Sequence, residues 1–229
     1  MSTRRALLEG ILAGTAWAMW PAKSFAETER GLALSRGYDP GLFHNAMTAD
    51  PGPIDLKIES TQILGNIPES LRGWTYLCNG PSRLEWGGKT VHPFDGHGYL
   101  RAFRFNEDGG VQFRARYIET PAFEAEDEHN ALVYRGLGTL PASSEERGWR
   151  RTNRKGPSRR NVANTTIYPW GENLLAGWEG GLPYAIDPQT LETIGPYNFH
   201  DSLGKREAFL AHVKFDHKQN RLVGLSPKL

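Results

Sequence analysis

Between residues 164 and 225 short apolar or β-branched runs alternate with turn residues at a spacing too tight for helices. The runs at 164–168, 174–178, 183–187 and 192–197 are each bounded by Pro, Gly, Asn or Asp, which predicts four strands joined by short antiparallel turns. Four such strands amount to about one blade of a β-propeller. Two further runs, 209–215 and 221–225, repeat the start of the pattern around the turn 216–220. A second unit therefore opens there.

The upstream half carries weaker versions of the same signal. Runs at 99–105 and 111–118 flank Asn106-Glu107-Asp108-Gly109-Gly110 and predict a hairpin. In its second strand Val111, Phe113, Ala115 and Tyr117 share one face, opposite Gln112, Arg114 and Arg116, as a half-buried strand requires. Residues 54–63 alternate well enough for an edge strand, and a short turn at 66–73 leads into a strand at 74–77. Residues 122–132 read as a short acidic helix, and the basic segment 145–160 as a solvated loop between blades. An extended arm over 27–60 and an all-β, incomplete β-propeller over 61–229 are the expected organisation.

Composition agrees with a turn-rich β protein: 229 residues carry 26 Gly and 15 Pro among many β-branched and aromatic side chains. A formal charge of +1 gives no global attraction to nucleic acid or anionic lipid. The lone Cys78 excludes an intramolecular disulfide and a multi-cysteine zinc site. There is no phosphate-binding Gly-Lys-Ser/Thr loop, no dinucleotide fingerprint and no Gly-x-Ser-x-Gly elbow. Arg4-Arg5, an apolar run over 10–20 and Ser24-Phe25-Ala26 together predict a twin-arginine export signal over 1–26 and a periplasmic location.

An ordered set of motifs resembles the carotenoid cleavage oxygenase family. It comprises Asn79-Gly80-Pro81, Phe94-Asp95-Gly96, Asn164-Thr165, Glu179, Pro183-Tyr184, the 187–195 turn and Ala211-His212. The resemblance implies the N-terminal part of a seven-bladed propeller. It also implies a non-haem Fe(2+) dioxygenase that cleaves a polyene double bond of a carotenoid or apocarotenoid into two carbonyl products. His212 then stands at the first of four iron-binding histidines. Glu179 stands where a carboxylate accepts the outer ring N–H of an iron-bound histidine other than the first, a histidine expected to lie outside this chain. Because a single imidazole does not retain a divalent ion, the chain reads as a truncated, inactive form.

The implied partners are an apolar polyene and O2, with a membrane-surface contact for substrate uptake, no nucleic acid and an open oligomeric state. Stilbenoid-cleaving members of the family commonly carry a lysine just before the Glu179 position, where this chain has Trp178, an apolar face suited to a polyene. Two alternatives stand beside this reading: a stilbenoid-cleaving dioxygenase, and a secreted propeller fragment that binds without chemistry. Of the other histidines, His97 reads as a surface turn residue, and His44, His129 and His200 as exposed loop residues. Asn79-Gly80-Pro81 and Phe94-Asp95-Gly96 read as turn architecture.

Overall fold

Two four-stranded, blade-like antiparallel sheets follow one another along the chain. The computed structural model describes residues 52–136, 160–204 and 207–226, all within one compact unit, Asp50–Leu229. The predicted leader, His44, most of the arm and most of the basic segment lie outside the described residues.

In the first sheet β2 (Thr75–Ser82), β5 (His97–Phe105) and β6 (Val111–Tyr117) pair in chain order. The earlier strand β1 (Ile54–Ile58) closes the outer edge against β6. The alternation at 54–63 thus forms the expected edge strand, and the blade takes in residues assigned to the arm. A small hairpin, β3 (Glu85–Trp86) with β4 (Lys89–Thr90), precedes β5. Along β6 burial alternates as the sequence predicted, with Val111, Phe113, Ala115 and Tyr117 inside.

The helix α1 (Pro121–His129) follows β6. Thr120 caps its start by accepting from the Phe123 amide at 3.1 Å, Pro121 sets the first turn, and Asn130 ends it in the left-handed region. The second sheet comprises β7 (Thr166–Trp170), β8 (Asn173–Gly177), β9 (Tyr184–Ile186) and β10 (Thr193–Pro196). A final pair, β11 (Lys214–Asp216) and β12 (Arg221–Val223), begins a third unit.

The central strand β8 is buried on both faces, which is why its sequence is a continuous apolar run. Leu174 and Ala176 pack with Leu100, Ala102 and Ile118 of the first blade. Leu175 points the other way and packs with Tyr168, Ala185, Val213 and Leu222. The period of two along an extended strand thus divides one hydrophobic run between two inter-blade cores.

The two blades are stitched together at their inner strands. The Asn79 amide donates to the Ala163 carbonyl at 2.8 Å and to that of Thr166 at 3.1 Å. Gly98 lies so close to Ala163 that a Cβ would collide with its carbonyl, and the Gly98 N–H donates to the Val162 carbonyl at 2.7 Å. The asparagine and glycine of the predicted turns therefore act across the blade boundary as well as locally.

Candidate active site

A cavity of about 820 Å³ lies where the first two blades meet. One side is made by motif segments far apart in sequence: Asn79, Gly80 and Pro81 in β2, Phe94 and Asp95 in a 3-10 turn, and Asn164 and Thr165 just before β7. Asn164 locks two of these segments together, since its amide donates to the carbonyls of Phe94 at 3.1 Å and Gly96 at 2.7 Å. Trp178 and Glu179 follow β8 on the same wall, with His212 beside them. Tyr134, Arg135 and Gly136 after α1, together with Arg160 and Val162, complete the lining.

Trp178 is half-buried and lines this cavity. Its ring lies over Gly180, where a Cβ would collide with the six-membered ring. Gly180 is thus needed to let the indole fold back over its own chain, whereas a Cβ at Gly181 would meet the Asn161 amide.

The structure brings both predicted site residues, Glu179 and His212, to the cavity. His212 Nε2 lies 3.0 Å from Glu179 Oε1, with the two side chains 78% and 43% exposed. A first correction is local: His212, expected within the strand-forming run 209–215, lies outside β11, and among the described residues it is the side chain beside Glu179. The reason is positional, because the bend before β11 lies beside the turn that ends β8; the Phe209 N–H donates to the Gly181 carbonyl at 3.0 Å. The bend itself is at Ala211, and His212 follows it two residues before β11.

His97 is the second correction. It is not a surface turn residue but the first residue of β5, with no exposed surface. Its Nε2 is 2.6 Å from Glu126 Oε2, and its ring is held edge-on by Trp86 and Phe123. Burial and the neighbouring Arg160 charge pull this imidazole down to about 4, against the opposing pull of Glu126. At neutral pH His97 is therefore uncharged and donates through Nε2–H.

Arg160, the last residue of the segment expected to be solvated, is the third correction, being only 3% exposed. Its Nε lies 3.1 Å from each Glu126 oxygen, its Nη2 is 2.6 Å from Oε2, and its Nη1 donates to the Asp95 carbonyl. Glu126 also accepts the Val133 and Tyr134 amides at 3.2 Å each. Burial pushes the Glu126 carboxyl up, but the His97 hydrogen bond and the Arg160 charge outweigh it and hold the group below the usual carboxylate range. The cluster thus ties β5, α1, the loop after α1 and the entry to the second blade behind the cavity wall.

Sequence reasoning passed over Glu126, although one signal was present. Ala122, Phe123 and Glu126 share the buried face of α1, and a carboxylate on an apolar helix face requires a buried partner. The remaining histidines follow expectation: His129 and His200 are exposed. Among the described residues no group of three His, Cys, Asp or Glu side chains converges as a metal site. His212 and Glu179 alone do not supply the ligand set a divalent ion needs, and the imidazole nitrogen facing Glu179 is already engaged.

Comparison with known proteins agrees with this geometry. Residues 50–229 match the family model described as retinal pigment epithelial membrane protein, RPE65. The apocarotenoid-15,15'-oxygenase of Synechocystis is 36% identical over 183 residues, which cover 79% of this chain and 36% of that enzyme. The isoeugenol monooxygenase of Pseudomonas putida is 35% identical over 81% of this chain and 36% of its own length. A solved structure of the Synechocystis enzyme superposes with a TM-score of 0.70 at 33% identity, over 82% of this chain and 40% of that one. This chain therefore spans well under half the length of these relatives. Solved forms of the Synechocystis enzyme include a cobalt-substituted one. Others carry single substitutions at a threonine, a tryptophan and the glutamate directly after it, in the same spacing as Thr165, Trp178 and Glu179. With its motif segments gathered on one cavity and the family match running from residue 50 to residue 229, this chain belongs to the RPE65 family of carotenoid cleavage oxygenases.

Proposed function

We propose that this chain contributes to an oxygenase that cleaves a polyene double bond of a carotenoid or apocarotenoid. O2 adds across one C=C bond, that bond breaks, and each carbon leaves as a carbonyl, so atoms balance without a further reductant. The observation that carries the reading is the cavity of about 820 Å³ whose wall gathers the motif segments and the half-buried Trp178 ring. An apolar wall of this size suits a flat conjugated chain, which loses little on leaving water, better than a phenol whose hydroxyl would need a partner.

Fe(2+) is proposed as the cofactor of the whole protein, with His212 as one ligand and Glu179 as a carboxylate that orients another iron-bound histidine of the whole protein. Pairing with Glu179 leaves Nδ1 of His212, or Nε2 after the exposed ring turns, to meet an ion. The residues described here bind and shield the substrate; on their own they are expected to hold little iron. A second reading, a non-catalytic binding module, is supported by the exposure of His212 and by the lack of a converging ligand group among the described residues.

One experiment separates the readings. Residues 50–229 are grafted in place of the corresponding part of the Synechocystis enzyme, and iron content and turnover are measured. The oxygenase reading expects bound iron, faster turnover of an apocarotenal than of a hydroxystilbene, and loss of iron in His212→Ala. Faster turnover of the stilbene overturns the substrate assignment, and unchanged iron in His212→Ala overturns the ligand assignment. Export is proposed as well: replacing Arg4 and Arg5 by Lys should leave the precursor in the cytoplasm, and normal export of that variant would refute a twin-arginine route.

A further inference from the structure

Arg160 places a guanidinium in the cavity wall, yet its charge is already answered from behind. It lines the cavity and is almost fully buried, a setting in which an unpaired guanidinium would be a strong site for an anion. Glu126, fully buried behind that wall, takes Nε and Nη2 of the same side chain, and the Asp95 carbonyl takes Nη1. His97, the third member of the cluster, contributes no charge at neutral pH. Among the described residues the other charged side chains on the wall are acidic Asp95 and Glu179 and the exposed Arg135. Among the described residues the buried part of the cavity therefore offers no uncompensated positive charge.

We propose that Glu126 determines the end-group specificity of this cavity by cancelling the charge of Arg160, so that it takes polyenes with uncharged ends and rejects the corresponding carboxylates. The inference rests on reading the cavity as the substrate site. A carboxylate entering it would lose its hydration and find the one buried guanidinium of the wall occupied.

All-trans-retinal and all-trans-retinoic acid share a skeleton and differ in charge, so the ratio of their affinities isolates the effect from fit and from stability. Tryptophan-fluorescence titration of the 229-residue chain near neutral pH is expected to show retinal binding tighter by about tenfold or more. In Glu126→Gln the freed guanidinium should shift the ratio toward the acid by about tenfold. An unchanged ratio in a folded Glu126→Gln overturns the role of Glu126. Wild-type protein that binds the acid as tightly as the aldehyde overturns the specificity claim while leaving the cavity reading in place. Saturable binding of neither ligand overturns the cavity reading and this inference with it. Should Glu126→Gln not fold, the uncharged double variant Glu126→Gln/Arg160→Gln replaces it. Its ratio should match wild type, and a shift in either direction would show that the Arg160 charge is felt in the native cavity.

Discussion

Two histidine–glutamate pairs lie beside the same cavity, one sealed and one open. His97 and Glu126 meet at 2.6 Å with neither side chain exposed, whereas His212 and Glu179 meet at 3.0 Å with both largely in water. In the sealed pair low dielectric makes each interaction strong and each unpaired group costly, so the imidazole is held neutral and the carboxylate is locked by Arg160 and two backbone amides. In the open pair water screens the attraction and leaves both side chains room to turn. The same two residue types thus build a rigid strut in one place and an adaptable, ligand-accessible pair in the other.

The sharpest way to break this contrast is to neutralise each carboxylate in turn. Glu126→Gln strands a buried guanidinium and should lower stability by about 3–5 kcal/mol in a denaturant titration, while Glu179→Gln should leave the unfolding midpoint where it was. Equal effects of the two would mean that burial does not separate the pairs.

Acid should act on the sealed pair next. His97 titrates near 4 when folded and near 6.5 when unfolded, so below pH 6.5 the unfolded state binds the extra proton. Stability is complete above pH 6.5 and falls as pH drops toward 4, by roughly 3 kcal/mol. Glu126, whose folded pKa is depressed, adds a further loss below its unfolded value, in the range where it too takes up a proton. Replacing His97 by Gln, which keeps a donor toward Glu126, should flatten the part of the stability–pH curve between 6.5 and 4. An unchanged slope over that range in His97→Gln would refute the assignment.

The smallest effect concerns the open pair. A double-mutant cycle on His212 and Glu179 should give a coupling near zero that vanishes as salt rises. A coupling that persists in high salt would show the pair to be shielded.

Much of the fold was legible in the residues because period and turn chemistry are local. Val111, Phe113, Ala115 and Tyr117 alternate in sequence and are buried in the structure. The runs around Leu175 and Ala185 became β8 and β9 within a residue or two of their expected ends. The site residues Glu179 and His212 were legible only through their motif context, since nothing in an isolated Glu or His separates a solvated side chain from a functional one. His97 was misread because its neighbours Phe94, Asp95 and Gly96 signal a turn, and that turn does form, as Pro93–Asp95, one step before the chain becomes a buried strand.

By itself the sequence determined where most of the strands lie, which face of β6 is apolar, that a short acidic helix follows β6, and to which family the chain is related. Those properties depend on neighbours a few residues apart, whose spacing is the same in any fold. Only the tertiary structure decided that Arg160 is buried, that Glu126 is its counter-ion from 34 positions away, and that Glu179 faces His212. Such pairings depend on how two blades and a helix close on each other, and local periodicity does not specify which distant charge will share the same dry interior.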